Sequence, residues 1–483
     1  MNGSGVLTAY YPFALAYWAV GADTNVHLYA LDLTNKSATA PMPTQISSFS
    51  VASASLICDE GDAQTNLLDP STSFAVIHLT STTCGSGADT YVVVHYKDSP
   101  TTAPTAITLP GAGTILSGNL TPLYSTTGAL TGIVYVGGGT TMYEFADDTF
   151  TSPTTLLSGI TSSNSIAVDQ GVKKTGAFDG TTLFYSITTG AGTKVYRVPY
   201  TGGISNVYNV LGTIDAVGTS DATNIYFLDN TLTQTNLVLE PIAGGTPTTL
   251  TTFTTATLGT PALDGSDGTY VVFHQSLFSG SAFSSTLEQV NATQPGGQTP
   301  VLYSNSTSYP NPVAGNLTVQ VLAPTLGDFG GALVYISATN VTSGPAYAYS
   351  TQVRSASGNA VTGGAQQTGA VFLSRGTYFS GSILQLTGIT DTATPTYGGG
   401  TLYNVNMTNL SPTAFVPQPS GGPSTYVVPA GDIFSSFGVS NQYAEGFLVH
   451  PSGPTFPDGL ALDVAGDLIR QFSLPNTDIT ALF

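Results

Sequence analysis

The sequence predicts an all-β fold made of many short antiparallel strands. Three observations carry this: charged residues are scarce, turn-forming residues run along the whole chain, and a strand-and-turn unit of about fifty residues recurs. Only 8% of the 483 residues are charged, which leaves few of the Glu, Lys and Arg that favour helices. The 55 Gly and 29 Pro, set among many Thr and Ser, punctuate numerous short strands, and 25 Tyr with 22 Phe can fill a large core.

The recurring unit is clearest in the middle of the chain. Thr182-Leu183-Phe184-Tyr185-Ser186 is followed by Val195-Tyr196-Arg197-Val198-Pro199-Tyr200-Thr201-Gly202-Gly203. The next copy runs Asn224-Ile225-Tyr226-Phe227-Leu228, then Leu237-Val238-Leu239-Glu240-Pro241-Ile242-Ala243-Gly244-Gly245. A third spans Tyr270 to His274 and Leu287 to Gly297, keeping the Gly-Gly pair. The third strand of the unit recurs at Leu28-Tyr29, Met142-Tyr143 and Leu402-Tyr403, and its tyrosines act as a ruler. Tyr29 to Tyr143 is 114 residues, Tyr143 to Tyr196 is 53 and Tyr196 to Tyr403 is 207, close to two, one and four steps of 52 to 57.

Each unit holds three or four strands of alternating or fully apolar character, such as Ile133-Val134-Tyr135-Val136. A small sheet of this size buries its faces only against its neighbours, and closing the stack into a ring removes the two unburied ends. The expected architecture is a single β-propeller of four-stranded antiparallel blades over 1-483, with 1-5 as a flexible N-terminal tether. Nine candidate units start near residues 5, 53, 114, 162, 213, 256, 315, 370 and 425. Propellers typically have 4–8 blades, so eight are expected, with seven and nine as alternatives. The Gly, Ser and Thr-rich segment Ser355 to Thr368 is expected to be an extended loop.

The order of aromatic strand, turn, Leu-Tyr-Arg-type strand and Gly-Gly turn resembles bacterial β-propellers of the TolB-like and YWTD-like kind. The resemblance covers 181–245 well, 256–304 moderately and the rest by spacing. It implies fold and no activity. The Tyr-Trp-Thr-Asp tetrad is absent, Ala16-Tyr17-Trp18-Ala19 being its nearest echo, and there is no WD or Kelch signature.

Charge narrows the partners. Nine Lys and Arg against 28 Asp and Glu leave a formal charge of −19. Lys173-Lys174 is the sole adjacent basic pair, which excludes nucleic acid, whose phosphates need clustered cations. No run of about 18 apolar residues offers a transmembrane helix. Solubility then rests on hydroxyls, amides and the negative field, as suits a secreted or cell-surface chain. Met1-Asn2-Gly3-Ser4-Gly5 has neither the basic nor the apolar region of a secretory signal. It is similar to the tether after the lipidated cysteine of a bacterial lipoprotein, and equally to an ordinary flexible terminus.

The candidate chemistry is sparse. Cys58 and Cys84 can form a local disulfide in an oxidising compartment, or be two buried small hydrophobes. No His or further Cys stands at a zinc-motif spacing around them, so zinc is not expected there. Of His27, His78, His95, His274 and His450, three (His78, His95 and His274) fall in strand runs, where a packed or hydrogen-bonded structural role is expected. Carboxylates cluster at Asp59, Glu60 and Asp62, at Asp264 and Asp267, and at Asp458, Asp463 and Asp467. These match turn chemistry better than a calcium loop, and nothing selects a glycosidase pair. Gly137-Gly138-Gly139 and Gly398-Gly399-Gly400 read as hairpin turns, since no Lys follows them. The Gly-x-Ser-x-Gly elbow is absent. Arg197, Arg354, Arg375 and Arg470 are too scattered for a sialidase cluster, and Trp18 lies in an apolar run that reads as core. No cofactor, metal or catalytic residue is expected. The expected function is an extracytoplasmic, non-catalytic binding or surface-structural module, monomeric, with an unknown protein or glycan ligand. The alternatives are an extracytoplasmic hydrolase or lyase with a channel-face site, and a self-assembling surface or filament subunit.

Overall fold

A computed structural model describes strands throughout 14–482, most of the turns between 56 and 296, and side chains mainly between 57 and 296. Among the described residues the strands pair into nine sheets of four or five strands, almost wholly antiparallel. One parallel pairing sets Val416 and Pro417 beside Leu468 and Ile469. Most sheets are meanders of sequence neighbours, as the scarcity of helix formers and the wealth of turn residues require.

Six sheets, the second to the seventh, are continuous in sequence, starting with Leu56–Gln64, Ser73–Thr80, Asp89–Val94 and Thr105–Ile107. The third and fourth follow the same plan from Leu120–Tyr124 to Thr154–Ser158 and from Ile160–Asp169 to Ser205–Asn209. The first sheet joins the two ends of the chain. Its strands Ala14–Val20, Asn25–Asp32 and Thr44–Ser50 are completed by Ile479–Leu482, with Ala16 opposite Leu482 and Ala19 opposite Ile479.

Successive sheets pack face to face. In Leu130–Gly137, Ile133 and Tyr135 join Phe74, Val76, Tyr91 and Val93 of the second sheet. Val134 and Val136 point the other way, to Leu183, Tyr185 and Ile187 of the fourth. Phe184 and Val195 then meet Ile225, Phe227 and Val238 of the fifth. Tyr226, Leu228 and Leu237 meet Val271 and Phe273 of the sixth. Both parities of each central strand are therefore buried, which is why these strands read as unbroken apolar runs instead of alternating ones. First strands lie side by side, Ile160–Asp169 next to Thr219–Ser220, then Ala262–Ser266, then Pro312–Leu322, and Ile479–Leu482 lies next to Leu56–Gln64. Face-packed small sheets with adjacent first strands make a β-propeller.

The tyrosine ruler marks a structural landmark. Tyr29, Tyr143, Tyr196 and Tyr403 all lie on third strands. In five sheets the fourth strand carries one extra residue beside this position: Ile46, Leu156, Val207, Leu250 and Tyr303 fall between the registered pairs. All five are apolar, and Leu250 is fully buried. A β-bulge here raises the local twist, and Leu156, Val207 and Leu250 join the apolar clusters between sheets.

Two segments depart from or refine the expectations. Ser355 to Thr368 is not wholly loop: Val361–Thr362 and Gln366–Thr368 pair with Tyr347–Arg354. Polar Thr and Gln are tolerated there because an edge strand needs only one ladder of backbone bonds. Gly138 and Gly139 have φ of 56° and 67°, left-handed values that favour glycine. They form the hairpin turn between Leu130–Gly137 and Thr141–Phe145, as expected.

Candidate functional site

A polar cluster stands inside the apolar face where the second sheet meets the third. Its centre is His78, fully buried near the end of Ser73–Thr80. Antiparallel register sets Asp59 directly opposite it on one side and Tyr91 on the other. The Tyr91 ring stacks on the imidazole at 4.7 Å. Asp89, two residues before Tyr91, shares its face because side chains alternate along a strand. The pairing slips between Ile57 and Asp59, leaving Cys58 as the extra residue of a bulge. Bulges re-aim side chains, and here the consecutive residues Cys58 and Asp59 both reach the imidazole.

His78 Nδ1 lies 2.9 Å from Asp59 Oδ1, and Nε2 lies 3.3 Å from Asp89 Oδ1. Burial alone would lower the basicity of His78. The hydrogen bond and charge of Asp59, then the ion-pair contact with Asp89, outweigh it and raise its pKa above the usual histidine value. His78 Nε2, Asp89 Oδ1 and Asp59 Oδ2 are buried yet have no hydrogen-bond partner. Tyr135, from the third sheet, is fully buried over the same region. Burial first, then the nearby Tyr91 and Asp59, raise its phenol pKa, and its hydroxyl also has no partner. Cys58 Sγ, a His78 ring nitrogen and an Asp89 carboxylate oxygen lie within 4.8 Å of one another, a mixed S, N and O set of the kind zinc accepts once the sulfur is a thiolate, but Cys58 is disulfide-bonded. Among the described residues no cysteine is a free thiol, and Cys84 lies outside them.

The other buried or paired polar groups stitch one sheet to the next. Asp229, fully buried in the fifth sheet, accepts hydrogen bonds from Tyr208 Oη of the fourth at 2.7 Å and from the Leu211 and Gly212 amides at 2.9 Å each. Asp221 Oδ2 accepts from Tyr226 and from Ser266 of the sixth sheet, while its Oδ1 caps the Thr223 and Asn224 amides. His95 pairs with Asp148 across the second and third sheets at 3.2 Å. That hydrogen bond holds the Asp148 carboxyl below its ordinary value against the opposing effect of burial. Arg197 Nε donates to the Ile242 carbonyl at 2.7 Å across the fourth and fifth sheets. Glu240, on the same interface, is fully buried with neither carboxylate oxygen hydrogen-bonded. Burial pushes its pKa up to about 7, with the charge of Arg197 pulling the other way.

Several residues singled out by sequence take different settings. His78 has the expected buried, hydrogen-bonded strand position, but between two carboxylates. Asp59 engages His78 and does not belong to a turn. Asp264 lies within the strand Ala262–Ser266 at a bulge, so the turn before Tyr270 is shorter than expected. The side chains of Trp18, Glu60, Asp62, His274 and the 458–467 carboxylates lie outside the described residues. Glu240 escaped notice in the sequence because the strand Gln234–Pro241 is otherwise ordinary. The signal was there, since Glu240 aligns with buried Val198 in the preceding copy.

No family model matches this chain, and no curated protein matches it. Among solved structures, the chain is similar to an oligogalacturonate lyase at 11% identity, over 73% of this chain and 84% of that one, with a TM-score of 0.39. It is similar to apo AztD from Citrobacter koseri at 9% identity, over 83% and 94%, with a TM-score of 0.35. It is also similar to TolB from Acinetobacter baumannii at 15% identity, over 60% and 66%, with a TM-score of 0.26. The likeness is one of fold and extends to no activity.

Proposed function

We propose that this chain is a non-catalytic propeller acting outside the cytoplasm as a binding or surface-structural module, with a protein or glycan as its ligand. One observation carries the reading: Asp221, Asp229, Asp148 and Arg197 all engage partners on adjoining sheets or turns, which are scaffold contacts. Low charge and hydroxyl-rich faces support a surface role. Cys58 is disulfide-bonded and Cys84 is the other of the two cysteines in the sequence, which supports a Cys58–Cys84 disulfide and thus an oxidising compartment. On this reading residues 1-483 make one ring of nine blades, closed by the shared first sheet, and residues 1-5 tether it, through a lipid where the natural terminus supplies one.

The test is a binding screen of the purified chain against immobilised envelope polysaccharides and surface proteins, with the eluted ligands checked for cleavage. Saturable binding with the ligand recovered intact supports the proposal. Release of shortened or unsaturated sugar, or of cut peptide, would replace it with a hydrolase or lyase. Particle growth with concentration, in the absence of any ligand, would replace it with a self-assembling subunit.

A further inference from the structure

The cluster around His78 has the arrangement of a metal site before its metal arrives. A histidine that ligates through Nε2 is usually oriented by a carboxylate on Nδ1, and Asp59 holds Nδ1 at 2.9 Å. The opposite nitrogen forms an ion pair with Asp89 Oδ1 at 3.3 Å, too poorly aimed to satisfy either atom as a hydrogen bond. A ring nitrogen and a carboxylate oxygen, both buried and facing each other without a well-aimed hydrogen bond, are satisfied together by a cation between them. The bulge delivers Cys58 as the third donor, with all three donor atoms inside 4.8 Å. Tetrahedral zinc with bonds of about 2.0–2.3 Å sets its ligands about 3.3–3.6 Å apart, so closing the site takes side-chain movements of about 1 Å. Cys58 is partly buried, while the Asp89 side chain is only 4% exposed.

We propose that Cys58, His78 and Asp89, oriented by Asp59, form a zinc site that the Cys58–Cys84 disulfide keeps closed and a dithiol reductant opens. The inference rests on the disulfide proposed above. In the opening step a thiolate of the reductant attacks one sulfur, and its second thiol displaces the other. The protein S–S bond breaks, one forms within the reductant, and two electrons and two protons pass to Cys58 and Cys84. Zinc then takes the Cys58 thiolate, His78 Nε2 and Asp89, displacing the thiol proton and any proton on Nε2. A fourth position remains for water or a further donor.

The experiment uses the full chain in two states: as isolated, and reduced with dithiothreitol that is then removed without air. Thiols are counted in denaturant before and after reduction, and zinc affinity is measured in both states by competition with a chromophoric chelator. Cobalt(II) absorption reports thiolate ligation. The expected result is no thiol before reduction and two after. One zinc should bind the reduced chain at least about tenfold more tightly than the oxidised one, with a thiolate-to-cobalt charge-transfer band. His78→Asn and Cys58→Ser should each remove that gain, and Asp59→Asn should weaken binding about 10–100-fold as a lost orienting partner does. Asp89→Asn serves where His78→Asn does not fold. Equal affinity in the two states of a disulfide-bonded chain, or zinc binding untouched by Cys58→Ser and Asp89→Asn, overturns the site. Two thiols before reduction overturn the disulfide alone; Cys58→Ser and Asp89→Asn in the reduced chain then still decide the metal.

Discussion

Glu240 makes the interface between the fourth and fifth sheets sensitive to pH, and Glu240→Gln isolates the effect. The carboxyl is fully buried without a hydrogen-bond partner, and its pKa is pushed from 4.5 up to about 7. A raised carboxyl pKa means that the folded chain holds this proton more tightly than the unfolded chain. The associated stability is therefore full below about 4.5 and is lost as pH rises to about 7. At about 1.4 kcal/mol per pKa unit, the loss is on the order of 3 kcal/mol. Gln cannot ionise, so the variant escapes it, less whatever Arg197 loses with its neighbouring charge. The assay is guanidinium unfolding of both proteins at pH 5, 6, 7 and 8 at fixed ionic strength. All other titrating groups are common to the pair and cancel in the difference. The variant should gain on the wild type progressively from pH 5 to 8, by about 1–3 kcal/mol at the top. A difference that stays flat, or shrinks as pH rises, refutes the reasoning.

Three further outcomes follow from the contacts between sheets. Asp229→Ala strands the Tyr208 hydroxyl and the Leu211 and Gly212 amides; it should cost about 3 kcal/mol or more and speed hydrogen exchange at those two amides, and unchanged exchange would contradict it. Gly212→Ala should destabilise strongly, because a Cβ there would sit 1.9 Å from the Asn230 carbonyl oxygen; an unfolding midpoint equal to wild type would show that the turn relaxes. Asp148, whose pKa is lowered, contributes stability above its ordinary value of 3.8 that disappears as pH falls through the lowered value. Because His95 is about a third exposed, Asp148→Asn should cost no more than about 1 kcal/mol at pH 6, and a larger loss would mean that the contact is more protected from solvent than its exposure indicates.

The blades were legible in the sequence because each must bury both faces, which forces runs such as Ile133-Val134-Tyr135-Val136 and fixes the spacing of Tyr29, Tyr143, Tyr196 and Tyr403. The Gly-rich turns were legible because left-handed backbone at Gly138 and Gly139 selects glycine. The recurrent bulge was not, since one added apolar residue in a strand looks like any other apolar residue until its partner is known. The His78 cluster was hidden for the same reason. Asp59 lies 19 residues before His78 and Asp89 lies 11 after it, spacings that match no motif; strand register and a single bulged cysteine bring them together. Metal motifs depend on fixed local geometry, whereas this site depends on which strands pair.

The central claim is that the two ends of the chain complete one sheet and so close a ring of blades. Ala16 and Leu482 are register partners, and antiparallel partners stand about 4.5–5.5 Å apart at Cα, within the reach of a disulfide. The direct measurement places Ala16→Cys and Leu482→Cys in a Cys58→Ser, Cys84→Ser background and oxidises the dilute protein. Rapid conversion to a monomeric, circular product of higher mobility on a non-reducing gel is the expected result. Thiols that stay reduced, or that link only separate chains, would contradict the closure.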